Sequence, residues 1–144
     1  MAEESFDKAN QADNLELPEW KVEYLQRIQH FNQLDDGWNG YQAPAPDISA
    51  INVAAQILKR ISVCPARVAP SAVGGVGITF WAANHEVYVE IKNTSNMALV
   101  SVTDFNVHET GGEDEGVFKF STNEDGMQLL ISFVESQILC HAQT

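Results

Sequence analysis

The chain has 144 residues, 44% of them apolar, enough material for one domain with a real core. Twenty acidic residues against eight basic ones give a net charge of −12, which argues against direct contact with nucleic-acid phosphates or an anionic membrane surface, since both need clustered cations. No apolar run approaches the roughly 18 residues that span a bilayer. The opening MAEESFDKANQADN is polar and acidic, unlike a signal peptide, so a cytoplasmic location is expected, with Cys64 and Cys140 as reduced thiols. The acidic excess has two readings: plain solubility, which is the commoner, or complementarity to a basic groove on another protein.

Residues 1–16 lack periodicity and are expected to form a flexible acidic tail, leaving 17–144 as a single α+β domain. Pro18 suits the start of a helix, and Glu19 and Glu23 favour its positive end. Trp20, Tyr24, Leu25, Ile28 and Phe31 recur at helical spacing up to about Leu34. The next stretch, DDGWNGYQAPAP at 35–46, cannot continue a helix: Gly37 and Gly40 permit positive φ, and Pro44 and Pro46 extend the residues before them. Two roles are open for it. Trp38 or Tyr41 can act as a plug that wedges the helices onto a sheet, or Asp35, Asp36, Trp38, Asn39 and Tyr41 can line a binding cleft on a rigid loop.

A second helix follows, capped by Asp47 or Ser49, with Ile51, Ala54, Ala55, Leu58 and Ile61 on one stripe. Beyond Pro65 the period changes to two. Val76, Ile78 and Phe80 alternate with polar or small residues, as do Val87, Val89 and Ile91. With residues 82–85 as a four-residue loop, Phe80 faces Val87, Ile78 faces Val89 and Val76 faces Ile91, all on one side of a hairpin. Arg67–Val73 reads as an earlier strand held to an edge by Pro70, with a tight turn at Gly74-Gly75. A strand over 97–103, a polar loop over 104–116 and a short strand at Val117, Phe118 and Phe120 follow. A final helix from about Asp125 to Cys140 carries Met127, Leu130, Ile131, Val134 and Ile138 inward, with Gly126 weakening its first turn. The expected fold is a two-layer α+β domain: an antiparallel sheet of four to five strands, two N-terminal helices and one C-terminal helix.

The hairpin register places Thr79, Trp81, Tyr88 and Glu90 on the face opposite the core. Two aromatics with a carboxylate there form a recognition surface unless a helix or the N-terminal tail covers them. Motifs for catalysis are missing. The four histidines are far apart, neither cysteine belongs to a C-x-x-C pair, and no nucleophile elbow or phosphate loop is present. The acidic run at 113–115 lacks the ligand spacing of a calcium loop. No metal or cofactor is therefore expected, and no enzyme activity.

GWNGYQAPAP followed by ISAINVAAQILKRI resembles an uncharacterised group of small bacterial and phage proteins, in which a G-W-D-G-Y-x-A-x-P segment precedes a helix. A Pro-rich connection, a G-G-V/I turn and a strand ending in Trp continue the likeness at 67–70 and 74–81, then an alternating strand at 87–91. The chain departs from the group at Asn39, where Asp is usual, and at Phe80, where an acidic residue is frequent. The resemblance implies the domain outline and no activity.

These features together lead to the expectation of a non-enzymatic binding or inhibitory protein. It would occupy a partner protein with a basic surface through its acidic or aromatic groups, in a phage or bacterial regulatory or defence setting. Homo-oligomerisation is left open. The alternative is a small-molecule, nucleotide-like binder or sponge: Trp38, Tyr41, Trp81 and Tyr88 would supply stacking faces and Asn39 a base edge, with Arg67 and Lys92 as nearby cations.

Overall fold

The structure, a computed structural model, describes residues 17–94, 96–105 and 114–142. The expected tail at 1–16 and the middle of the expected polar loop lie outside the described residues. The elements run α1 (Glu19–Gln29), a 3-10 turn (Phe31–Gln33), α2 (Ile48–Arg60), β1 (Arg67–Pro70), β2 (Gly75–Ala82), β3 (His85–Lys92), β4 (Met97–Asp104), β5 (Asp114–Ser121) and α3 (Glu124–Ala142). The five strands pair antiparallel in chain order, a meander of α+β class. No helix among the described residues is long and apolar enough to cross a membrane.

The sheet register follows from its apolar alternation. Val76 pairs with Ile91, Ile78 with Val89 and Phe80 with Val87, as the pattern requires. The connecting turn is shorter than expected, because Ala82 and His85 still pair and leave only Ala83-Asn84 to reverse the chain. Ala83 takes φ 54°, the left-handed conformation a two-residue hairpin turn demands. At the other end of β2, Gly75 has φ 112°, and a Cβ there would collide with the Ile91 backbone. The 104–116 stretch is less of a loop than its polarity suggested, since strand pairing continues to Asp104 opposite Asp114.

All three helices pack on the side of the sheet carrying Val76, Ile78, Phe80, Val87, Val89 and Ile91. There α2 contributes Ile51, Ala54, Ile57 and Leu58, and α3 contributes Leu130, Ile131, Val134 and Ile138. Removing this apolar surface from water, at roughly 25 cal/mol per Å², is the main force holding the layers together. One charged group goes in with them. Lys21 is buried, with its Nζ donating to the Lys59 carbonyl at 2.8 Å, so it satisfies an end group of α2. Gly126 does more than weaken α3: a side chain there would strike the Ser121 backbone, so glycine lets the helix start directly off β5. Asn123 Oδ1 accepts from Gly126 N at 2.7 Å and caps that start.

Candidate functional site

The opposite side of the sheet has no helix over it among the described residues. Antiparallel pairing lines up its residues in cross-strand rows: Arg67, Thr79, Tyr88 and Ser101 in one, Ala69, Gly77, Glu90 and Leu99 in the next, Trp81, Glu86 and Thr103 in a third. Thr79, Trp81, Tyr88 and Glu90 therefore share this face. Trp81 is 45% exposed and stacks on Phe105, ring centroids 5.5 Å apart at 25°. An aromatic pair held this way presents a flat apolar surface that is already ordered before anything binds.

Tyr88 behaves differently. Its ring lies across Gly77, where a Cβ would meet Cε2 and Cζ at 2.9 Å, so glycine makes room for the ring. Beside it is an open cavity of about 150 Å³ lined by Arg67, Ala69, Pro70, Ser71, Ala72, Gly77, Thr79 and Tyr88. Ser71 donates its hydroxyl proton to Glu90 Oε1 at 2.9 Å and accepts from Val73 N at 3.3 Å. Burial, then the charge of Glu90, raises the Tyr88 pKa, while Ser71 and Arg67 pull it down. Its net direction is upward, so the phenol keeps its proton at neutral pH.

The 35–47 loop turns its polar side chains onto its own backbone. Asn39 Oδ1 accepts from Tyr41 N at 3.0 Å and Ala43 N at 3.3 Å, and Asp36 Oδ1 accepts from Ala45 N at 3.0 Å. Trp38 is half-buried, stands outside the hydrophobic core, and donates its indole N–H to the Pro44 carbonyl at 3.2 Å. The wedge expected of it is absent because the loop is closed by hydrogen bonds and buries Ala43 and Pro46 instead. Asn93, in the β3–β4 turn, clamps the loop from outside: its Nδ2 donates to the Ala45 carbonyl at 2.7 Å and its Oδ1 accepts from Asp47 N at 2.8 Å. Asp47 in turn caps α2 through Ala50 N and accepts from Thr94 N, both at 2.8 Å. Asp35 is exposed, and Tyr41 is 83% exposed.

The nine candidate residues thus fall into two groups. The loop sits at the Gly74 and Asn93 end of the sheet, while Trp81 lies some six residues along β2, about 20 Å away at the usual rise per strand residue. Trp38 and Tyr41 do not join Trp81 and Tyr88 around a single ligand. Sequence reasoning overlooked Ser71, Gly77, Glu86 and Phe105. Gly77 and Glu86 were legible from the same alternation that gave Thr79 and Tyr88. Phe105 was hidden in a segment dominated by polar residues. Among the described residues no cluster of three metal-ligating side chains occurs. No family model, no curated protein and no solved structure matches the chain.

Proposed function

We propose that this is a non-enzymatic binding protein that occupies a partner protein, using the Trp81 end of the sheet face that no described helix covers against a surface with basic character. The observation that carries the reading is the exposed Trp81–Phe105 stack beside Glu86, its cross-strand neighbour. Aromatic anchors with flanking charge are what interface centres are made of. The charge distribution supports the same end. Residues 104–115 carry five carboxylates and no cation, so this segment alone holds five of the twelve excess negative charges. The strands that flank 104–115 run into the Trp81 row, where Thr103 pairs with Glu86. A basic partner would be drawn to that end and seated by the aromatic pair.

The test is capture from a cognate lysate by the parent chain and by Trp81→Ala, Glu86→Gln and Trp38→Ala variants. The parent and Trp38→Ala should retain one partner and release it by about 0.5 M salt, where charge screening acts within a few ångströms. Trp81→Ala should lose it, and Glu86→Gln should release it at lower salt. Capture that survives Trp81→Ala, or loss in Trp38→Ala alone, places the interface at the loop and ends this reading. A nucleotide ligand at the aromatic face is the weaker alternative, since sites for such molecules enclose about 300 Å³ or more, against about 150 Å³ for the cavity beside Tyr88.

A further inference from the structure

We infer that the cavity between β1 and Tyr88 is a binding site for a small monocarboxylate with a short aliphatic end. The inference goes beyond the partner reading and does not depend on it, because the cavity occupies the β1 side of the face and Trp81 is not among its walls.

The Ser71 hydroxyl proton is committed to Glu90 Oε1, so Ser71 has no donor left for a ligand. Tyr88 keeps its phenolic proton at neutral pH, because burial and Glu90 outweigh Arg67 and Ser71. Thr79 brings a second hydroxyl to the same wall. Arg67 brings a guanidinium, which donates only. It forms no ion pair within the described residues, where the pair present joins Arg60 to Glu124. The Tyr88 hydroxyl is in hydrogen-bond contact with Ser71, so Thr79 and Arg67 are the side-chain donors that face this space, which selects a ligand that accepts.

Charge narrows the class. Arg67 is the one cation among the lining residues, and the Glu90 and Glu86 charges are close enough to raise the Tyr88 pKa. A dianion such as phosphate would meet that field with one counter-charge, whereas a monocarboxylate is matched by Arg67 and accepts from the Thr79 hydroxyl. Size narrows it further. A cavity near 150 Å³ takes a ligand of about benzene size, on the order of six heavy atoms. Ala69, Pro70, Ala72 and Gly77 form an apolar portion of the wall suited to a two- or three-carbon tail. Gly77 is integral to the site, because any larger residue would push the Tyr88 ring off its seat.

The full-length chain, labelled with nitrogen-15, is titrated with sodium propionate at constant ionic strength. Propionamide and propylammonium are the neutral and cationic comparisons of the same size. Propionate should shift the amides of Arg67, Ala69, Ser71, Gly77, Thr79 and Tyr88 along a saturable curve in about the millimolar range, as expected for so few atoms. Propionamide should bind at least about fivefold more weakly, the usual scale for losing a charge-assisted hydrogen bond. Arg67→Gln, at an exposed position with little to unfold, should weaken propionate by a similar factor. Thr79→Val gives a second variant that removes a donor and keeps the strand's shape. The inference is overturned by shifts that fail to saturate, by propylammonium binding as tightly as propionate, or by Arg67→Gln and Thr79→Val both leaving propionate affinity unchanged.

Discussion

The 35–47 loop and the sheet face opposite the helices contain the same kinds of residue: a tryptophan, a tyrosine, carboxylates and small polar side chains. They use them in opposite directions. In the loop, Asp36, Asn39 and Asp47 accept from backbone N–H groups, and Trp38 donates to a backbone carbonyl. On the sheet the backbone is satisfied by strand pairing, so the side chains are released from that duty. Thr79, Tyr88 and Arg67 then line a cavity, and Trp81 stacks on Phe105. The difference teaches that residue type does not mark a site by itself. What matters is whether the backbone underneath already has its hydrogen bonds.

The comparison breaks first at Asp47. Its carboxylate holds the α2 cap through Ala50 N and ties the helix to the β3–β4 turn through Thr94 N. Asp47→Ala removes both, and about 2 kcal/mol of stability should go with them, a cap plus one charge-assisted bond. Urea unfolding followed by circular dichroism measures this. Thr79→Ala on the sheet face should cost no more than about 0.5 kcal/mol, as for surface positions without special contacts. Equal costs at the two positions would mean that the loop is no more structural than the face.

The two tryptophans give a smaller effect and a sharper separation. Trp38→Ala loses one hydrogen bond and a half-buried ring, and Trp81→Ala loses one aromatic stack. Each should cost about 1 kcal/mol, well below the roughly 3–5 kcal/mol of a core aromatic cut to alanine. Their melting temperatures should therefore lie close together while partner capture separates them. A fall of the larger size in Trp38→Ala would restore the wedge that the sequence suggested.

Why that wedge looked plausible shows where sequence reading succeeds. Periodicity reports which side of an element meets the core, and it placed Val76, Ile78 and Phe80 against Ile91, Val89 and Val87. It also put Thr79 and Tyr88 on the opposite face with no further information. The stripe on α3 was legible for the same reason, since Leu130, Ile131, Val134 and Ile138 repeat at helical spacing. The loop has no period, so its aromatics could be read only by type. Whether Trp38 points inward depends on Asn39, Asp36 and Asn93 closing the chain around Ala43 and Pro46, and Asn93 lies 48 residues from the Ala45 carbonyl it holds. The cavity was beyond reach on similar grounds. It needs Ser71 from the turn after β1, Gly77 from β2 and Tyr88 from β3 together, and the missing side chain at Gly77 matters as much as those present.

The smallest effect tests the sheet face through its titration. Folding raises the Tyr88 pKa above the ordinary phenol value of 10.0, chiefly by burial and next by the charge of Glu90. The folded chain therefore holds this proton at pH values where the unfolded chain has begun to lose it. The sign follows from linkage: the contribution is fully present below the unfolded pKa and is lost as pH rises through the higher folded one. Stability measured by urea midpoint should decline between about pH 9 and 11, and part of that decline belongs to Tyr88. The informative quantity is the difference between the parent and Tyr88→Phe, which isolates this one phenol. The parent should fall more steeply, with the two curves parallel at neutral pH. Glu90→Gln should shrink the difference without abolishing it, because burial is the larger cause and Glu90 the next. Parallel curves across the whole range would show that Tyr88 is as solvated in the folded chain as in the unfolded one. The cavity would then lose its half-buried wall, and the Trp81–Phe105 stack would remain as an ordered feature of the face.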